Sequence, residues 1–221
     1  MPTWLRWGSP ALVRGLEWSF LLVLVAAFCW AWGSSPINLR ERIFPTNLVE
    51  VERGWLYRSG LIRPNLVEVT LRNLKIDLIV DLTHDLGQRD PRQVAEKRAA
   101  EKLGIKILRF PMSGKGIGTV DQYAAAIGAI ASAGHEGQHV LVHCAAGDRR
   151  SGGVLAAYQI LVKGVPPAEA RLELERFSTD RGAETALMRF LREHLDEIAQ
   201  RLVETGVIAR VPDPMPEFAS R

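Results

Sequence analysis

The feature that most restricts this chain is the junction at His139 to His143 (HVLVH), an apolar strand that runs straight into a short loop and then a helix. The junction reads His143-Cys144-Ala145-Ala146-Gly147-Asp148-Arg149-Arg150-Ser151-Gly152: a cysteine, five residues, an arginine, then serine and glycine. Five residues suffice to wrap a loop around one phosphate so that successive backbone N–H groups point inward, and the following helix adds the positive end of its dipole. On this reading Ala145, Ala146, Gly147, Asp148, Arg149 and Arg150 form a phosphate-binding loop. The same field lowers the pKa of Cys144, so that its thiolate, the nucleophile, is populated near neutral pH. Arg150 can grip two phosphate oxygens with its planar fork, which lysine cannot do. Gly147 lets the backbone approach closely, Ser151 can donate to the sulfur, and His143 is expected to orient the loop. A cysteine at a strand end is usually a small buried hydrophobe. Here the neighbours argue otherwise, because these residues at these offsets arise together by chance on the order of one time in a million.

The rest of the chain alternates strand and helix, which predicts an α/β fold with a mostly parallel sheet flanked by helices. An antiparallel pair is expected over Asn47 to Arg58, turning at Arg53-Gly54, and a helix over Pro64 to Leu74 with proline at its start. Ile76 to Leu82 (IDLIVDL) is a near-continuous apolar run of the kind buried on both faces of a sheet. A helix over Pro91 to Leu103 should stop at Gly104. Then follow a strand over Ile105 to Phe110, helices at Val120 to Ala133 and Ser151 to Lys163, and two more at about Pro167 to Phe177 and Glu184 to Glu204. The tail carries three prolines after Val211 and is expected to be loose. The domain reading is an anchor over residues 1–33, a linker over 34–46, a catalytic domain over 47–205 and a loose tail over 206–221.

The anchor rests on Trp18 to Trp32 (WSFLLVLVAAFCWAW), which holds no charge. Fifteen residues make a helix of only about 22 Å. To cross a hydrocarbon core of roughly 30 Å the segment must borrow Ala11 to Leu16 and let Arg14 and Glu17 snorkel. Five of the six tryptophans bracket the run, at 4, 7, 18, 30 and 32, where bilayer interfaces favour them. The bland alternatives are a buried helix or a cleaved signal peptide, but no A-x-A pattern follows the run. The expectation is a single-pass membrane protein, of a bacterial inner membrane, with an extracytoplasmic catalytic domain favoured over a cytoplasmic one. The flanking arginines, Arg6 and Arg14 before and Arg40 and Arg42 after, nearly balance. Net charge is +3 overall, and leaving out Arg6, Arg14 and Glu17 removes one net positive charge to give +2. A near-neutral domain argues against nucleic acid as partner. Two cysteines, Cys29 and Cys144, cannot build a disulfide framework or a cysteine-rich metal site.

HCAAGDRRSG resembles the signature loop of the protein tyrosine and dual-specificity phosphatase superfamily. Gly54 to Gly60 (GWLYRSG), the strand IDLIVDL, Ile107 to Gly114 (ILRFPMSG) and Gly164 to Phe177 resemble the matching segments of compact atypical dual-specificity phosphatases of bacteria, plants and fungi. The resemblance covers about Asn47 to Phe177. It implies a two-step mechanism through phospho-cysteine, without metal or cofactor, with Cys144, Arg150 and Ser151 catalytic. It does not supply the general acid, an aspartate usually found about 30 residues before the cysteine. Met112-Ser113-Gly114-Lys115-Gly116 stands there without a carboxylate. Asp148 is the favoured substitute, with Asp85, beside Asp81 and His84, next, and Asp121 third. Lys115 and Arg149 are candidates for a second phosphate or an acidic head group, or are ordinary solvated charges. Phosphotyrosine in a protein is the default substrate; an anionic phospholipid or phosphoinositol, and an inactive phosphate-binding scaffold, are the alternatives. Oligomeric state stays open.

Overall fold

A computed structural model of the chain describes residues 22–28, 30, 43–113, 117–177 and 186–217. It divides into two units, Met1–Ile43 and Phe44–Arg221. In the larger unit five strands form one sheet: β1 (Val49–Glu52), β2 (Leu56–Gly60), β3 (Leu78–Asp81), β4 (Lys106–Arg109) and β5 (Val140–Cys144). The order across the sheet is β1-β2-β5-β3-β4, with β2, β5, β3 and β4 parallel and β1 antiparallel at the edge. The last strand in sequence is therefore the middle one in space. A loop leaving its carboxyl end is flanked by the ends of β2 and β3, which is where open α/β sheets place their ligand sites.

Two layers of helices cover the sheet. On one face α1 (Pro64–Asn73) and α2 (Pro91–Leu103) bury Val67, Leu71, Ala99 and Ala100 against Ile79 and Leu141. On the other face lie α3 (Val120–His135), α4 (Arg149–Leu161), α5 (Pro167–Phe177) and α6 (Ala186–Glu204). There Tyr123, Ile127, Ile130, Val154 and Leu191 meet Leu56, Val80, Val140 and Val142. Strand residues alternate between the two faces, and because both are covered the central strands need apolar residues at nearly every position. That is why IDLIVDL and HVLVH read as runs.

The helix ends follow their local chemistry. Asp90 caps α2 by accepting from the Arg92 N–H, and Gly104 ends it in the left-handed conformation at φ +71°. Thr119 and Gln122 form a reciprocal capping box on α3, worth about 1 kcal/mol. α4 starts two residues earlier than Ser151, at Arg149, because Asp148 caps it. The chain after residue 206 departs from the loose tail expected of it: Val207, Ile208, Val211 and Met215 pack half-buried against the main core.

In the other unit Leu22 to Phe28 is helical, and its side chains are exposed. No helix among the described residues is long and apolar enough to cross a membrane. Apart from Trp30, the remainder of the expected anchor, most of the 34–46 linker and Lys115 lie outside the described residues.

Candidate active site

The carboxyl end of β5 delivers Cys144, and the chain turns through Ala145 to Asp148 into α4. Two contacts fix how this loop faces. The Ala145 carbonyl accepts from the Leu61 N–H at 3.3 Å, and the Ala146 carbonyl accepts from Asn47 Nδ2 at 2.8 Å. In a trans peptide the C=O and N–H point in opposite directions. Tying these two carbonyls to the β2 side therefore turns the Ala146 and Gly147 N–H groups the other way, and the Gly147 N–H reaches Cys144 Sγ at 3.2 Å. Gly147 itself, at φ +80°, lies against β2; a Cβ there would stand 2.3 Å from the Gly60 nitrogen.

Cys144 is 1% exposed and faces α4. Ser151 Oγ lies 3.5 Å from its sulfur. Burial pushes the thiol pKa up. The Ser151 N–H and hydroxyl, the Gly147 N–H and the charge of Arg150 outweigh that, so the thiol is held below its ordinary value. Arg150 donates from Nη1 to the Leu82 carbonyl at 3.2 Å and the Met112 carbonyl at 3.5 Å. These carbonyls follow β3 and β4, so the guanidinium is braced by the neighbouring strand ends. The arrangement is a lowered-pKa thiol, a braced arginine and inward N–H groups around one point, which suits nucleophilic attack on a phosphate.

Residues 57–164 match the family model described as "Tc-R-P: Polymorphic toxin system, DSP-PTPase phosphatase". That stretch, a little under half of the chain, is a phosphatase domain of the dual-specificity and protein tyrosine phosphatase kind. The domain is that of a cysteine-based phosphatase, and Cys144 is the cysteine within the matched stretch. Solved structures share the fold. TpbA from P. aeruginosa, in complex with pTyr, is 22% identical over 72% of this chain and 91% of its own, with a TM-score of 0.56. PTPMT1 in complex with PI(5)P is 20% identical over 70% of this chain and 97% of its own, TM-score 0.56. The catalytic core of the PP-IP phosphatase SIW14 from S. cerevisiae is 20% identical over 74% and 95%, TM-score 0.58. No curated protein sequence matches the chain.

The candidate acids of this phosphatase domain separate clearly. Asp148 is half-buried in the loop and accepts from the Arg149 N–H at 2.7 Å. Asp85 is exposed on the loop after β3. The Gly87 N–H, and then Arg109 at 2.9 Å, hold its carboxyl below the usual range. Asp121 sits in the first turn of α3, 78% exposed, paired with Arg201 of α6 at 3.2 Å. Arg149 and His84 are exposed.

Two features escaped the sequence reading. Arg58 of β2 is 2% exposed beneath the start of α4. Burial pushes its pKa down, opposed by the charges of Glu173, Cys144 and Asp148. Its place in GWLYRSG was visible; its burial was not. The second is an ionic cluster on the opposite face. His143 Nε2 lies 3.1 Å from Glu96 Oε1 of α2 and 3.7 Å from Asp81 Oδ1, and all three side chains are buried. Burial depresses the imidazolium, but Glu96 and Asp81 overcome it and push its pKa up to about 9. The potential ligand atoms of Asp81, Glu96 and His143 lie within 4.8 Å of one another. Thr83 occupies Asp81 Oδ1 and Arg109 occupies Oδ2, at 2.7 Å each, so this is not an open ligand set; His143 is tied to Glu96 and Asp81 by charge, its two buried ring nitrogens making no well-aligned hydrogen bond. Sequence spacing gave no signal for Glu96, which looked like one more charge on an amphipathic helix.

Proposed function

We propose that this phosphatase acts on phosphotyrosine, or on protein phosphomonoesters of the dual-specificity class. The observation that carries this reading is the depth of the nucleophile: with Cys144 1% exposed, a phosphate on a long rigid stem reaches the sulfur better than one on a short alkyl stem. In the mechanism this supports, the Cys144 thiolate attacks phosphorus, an S–P bond forms, and the P–O ester bond breaks. Asp148, as the acid, gives its proton to the departing oxygen. Asp85 is bound by cationic and N–H partners and Asp121 faces α6, which leaves Asp148 as the carboxyl within the loop. Water then attacks phosphorus, giving a proton to Asp148, while the S–P bond breaks and the Ser151 hydroxyl stabilises the departing thiolate. Throughout, Arg150 and the loop N–H groups hold the phosphoryl oxygens, because charge there is greatest in the transition state.

A second reading has its own observation. The uncharged, apolar Trp18 to Trp32 segment, with Leu22 to Phe28 helical and exposed, supports a membrane anchor, and a tethered enzyme would meet phosphoinositides at the surface. Phosphate release from a phosphotyrosine peptide, a phosphoserine peptide and phosphoinositide vesicles, measured side by side, separates the readings. A preference for the tyrosine peptide is expected. Preference for vesicles selects the lipid substrate, and turnover of none with vanadate still bound selects a scaffold. Recovery of the full chain in the membrane fraction after alkaline carbonate washing tests the anchor.

A further inference from the structure

His143 and Cys144 are neighbours on β5, so their side chains leave opposite faces of the sheet. Cys144 faces α4 and the phosphate loop. His143 faces α2, where Glu96, 2% exposed, meets it at 3.1 Å. A buried carboxylate is costly unless it is matched by charge and hydrogen bonds. Of the other buried residues of that helix, Gln93 is engaged with Thr83 and the His84 carbonyl, and Ala99 and Ala100 offer Glu96 no partner. What Glu96 matches is His143. The groups facing His143 are Glu96 from α2, Asp81 from β3 with Arg109 of β4 behind it, and uncharged Ser59 opposite it on β2; Cys144 acts on it by charge from the other face.

We propose that Glu96 is a positioning residue of this phosphatase: from the far face of the sheet it holds His143 as a buried cation directly behind the nucleophile, and so favours the Cys144 thiolate. The effect is electrostatic and crosses one residue of backbone. Two carboxylates beside one imidazole keep it protonated, and the charge of Cys144 is coupled to it. By reciprocity, a cation that is stabilised by the thiolate stabilises the thiolate in turn. Arg150 and Arg58 act on the same sulfur from the other face. Arg109, bridging Asp81 at 2.7 Å and Asp85 at 2.9 Å, closes the cluster toward the surface. The proposal rests on Cys144 being the nucleophile.

The test is the pH dependence of Cys144 alkylation by iodoacetamide in the full chain carrying Cys29→Ala, which leaves one thiol. Glu96→Gln keeps shape and removes charge. Its alkylation midpoint should move up by about one unit, so that below the midpoint the thiolate fraction and kcat/KM for an aryl phosphate fall about tenfold. At pH above the midpoint the two enzymes should converge, which a merely structural defect would not produce. His143→Gln should shift the midpoint in the same direction, and Glu96→Gln should give no further upward shift in that background. An unmoved midpoint in a folded Glu96→Gln overturns the proposal. Should that variant not fold, an unmoved midpoint in His143→Gln does so. If instead the parent Cys144 titrates like an ordinary thiol, the nucleophile reading itself fails, which distinguishes the two.

Discussion

Replacing Gly147 with alanine puts one methyl group where the loop meets β2. The new Cβ would stand 2.3 Å from the Gly60 nitrogen and 2.5 Å from the Ser59 carbonyl carbon, against a normal floor of 3.0 to 3.4 Å. Both neighbours are backbone of a central strand, so the loop must move, by about 0.7 to 1.1 Å (3.0 − 2.3 and 3.4 − 2.3). Alanine at φ +80° costs roughly 1–2 kcal/mol, and overpacking adds roughly 1–3. The total of about 2–5 kcal/mol corresponds to a Tm lower by roughly 5–20 °C for a chain of this size. A shift near 1 Å in a reacting group costs about 10²-fold in rate. Initial rates on para-nitrophenyl phosphate, taken well below the variant's melting range, should therefore show kcat/KM down about 10²-fold with vanadate affinity also reduced. A variant with parental Tm and kcat/KM within about threefold would refute the argument, since no rigid loop pressed on β2 could absorb that methyl group.

Cys144→Ser should abolish turnover while phosphate still competes for binding, because the N–H groups and Arg150 remain; residual turnover would point to another nucleophile. Arg150→Lys should lower kcat by about 10²–10³-fold, as expected for losing one preorganised oxyanion contact, and steady-state kinetics would show it. Asp148→Asn should slow alkyl or phenyl phosphates by about 10²-fold yet spare para-nitrophenyl phosphate, whose leaving group needs no proton; equal effects on both would move the acid elsewhere. The His143 pKa is raised by folding, so the stability it brings is complete below 6.5 and is lost as pH rises through about 9. The Tm gap between the parent and Glu96→Gln should accordingly close across that interval in differential scanning fluorimetry.

Much of the protein was legible in one dimension. The strand, loop and helix around Cys144 are consecutive, so their juxtaposition was legible from spacing: Ser151 and the Gly147 N–H lie beside the Cys144 sulfur, and Arg150 follows in the first turn of the helix. The parallel sheet was legible for a similar reason, since strands covered on both faces need uninterrupted apolar runs such as LIVD and VLVHC. The helix stop at Gly104 followed from glycine's freedom at a helix end, which is local; the caps at Asp90 and Thr119 are equally local.

Tertiary structure alone decided what depends on which strands become neighbours. Placing β5 between β2 and β3 brings Gly60 against Gly147, sets the Leu82 carbonyl under Arg150, and stacks Asp81 beside His143. It pairs Asp121 with Arg201 of α6, 80 residues away (201 − 121). It also turns Glu96 from an apparent surface charge into the buried partner of His143. Such pairings join residues far apart in the chain, and a charged side chain on a helix carries no mark of whether its partner will be water or an ion. Local chemistry is written in spacing; the matching of buried charges is settled only when the sheet order brings the partners together.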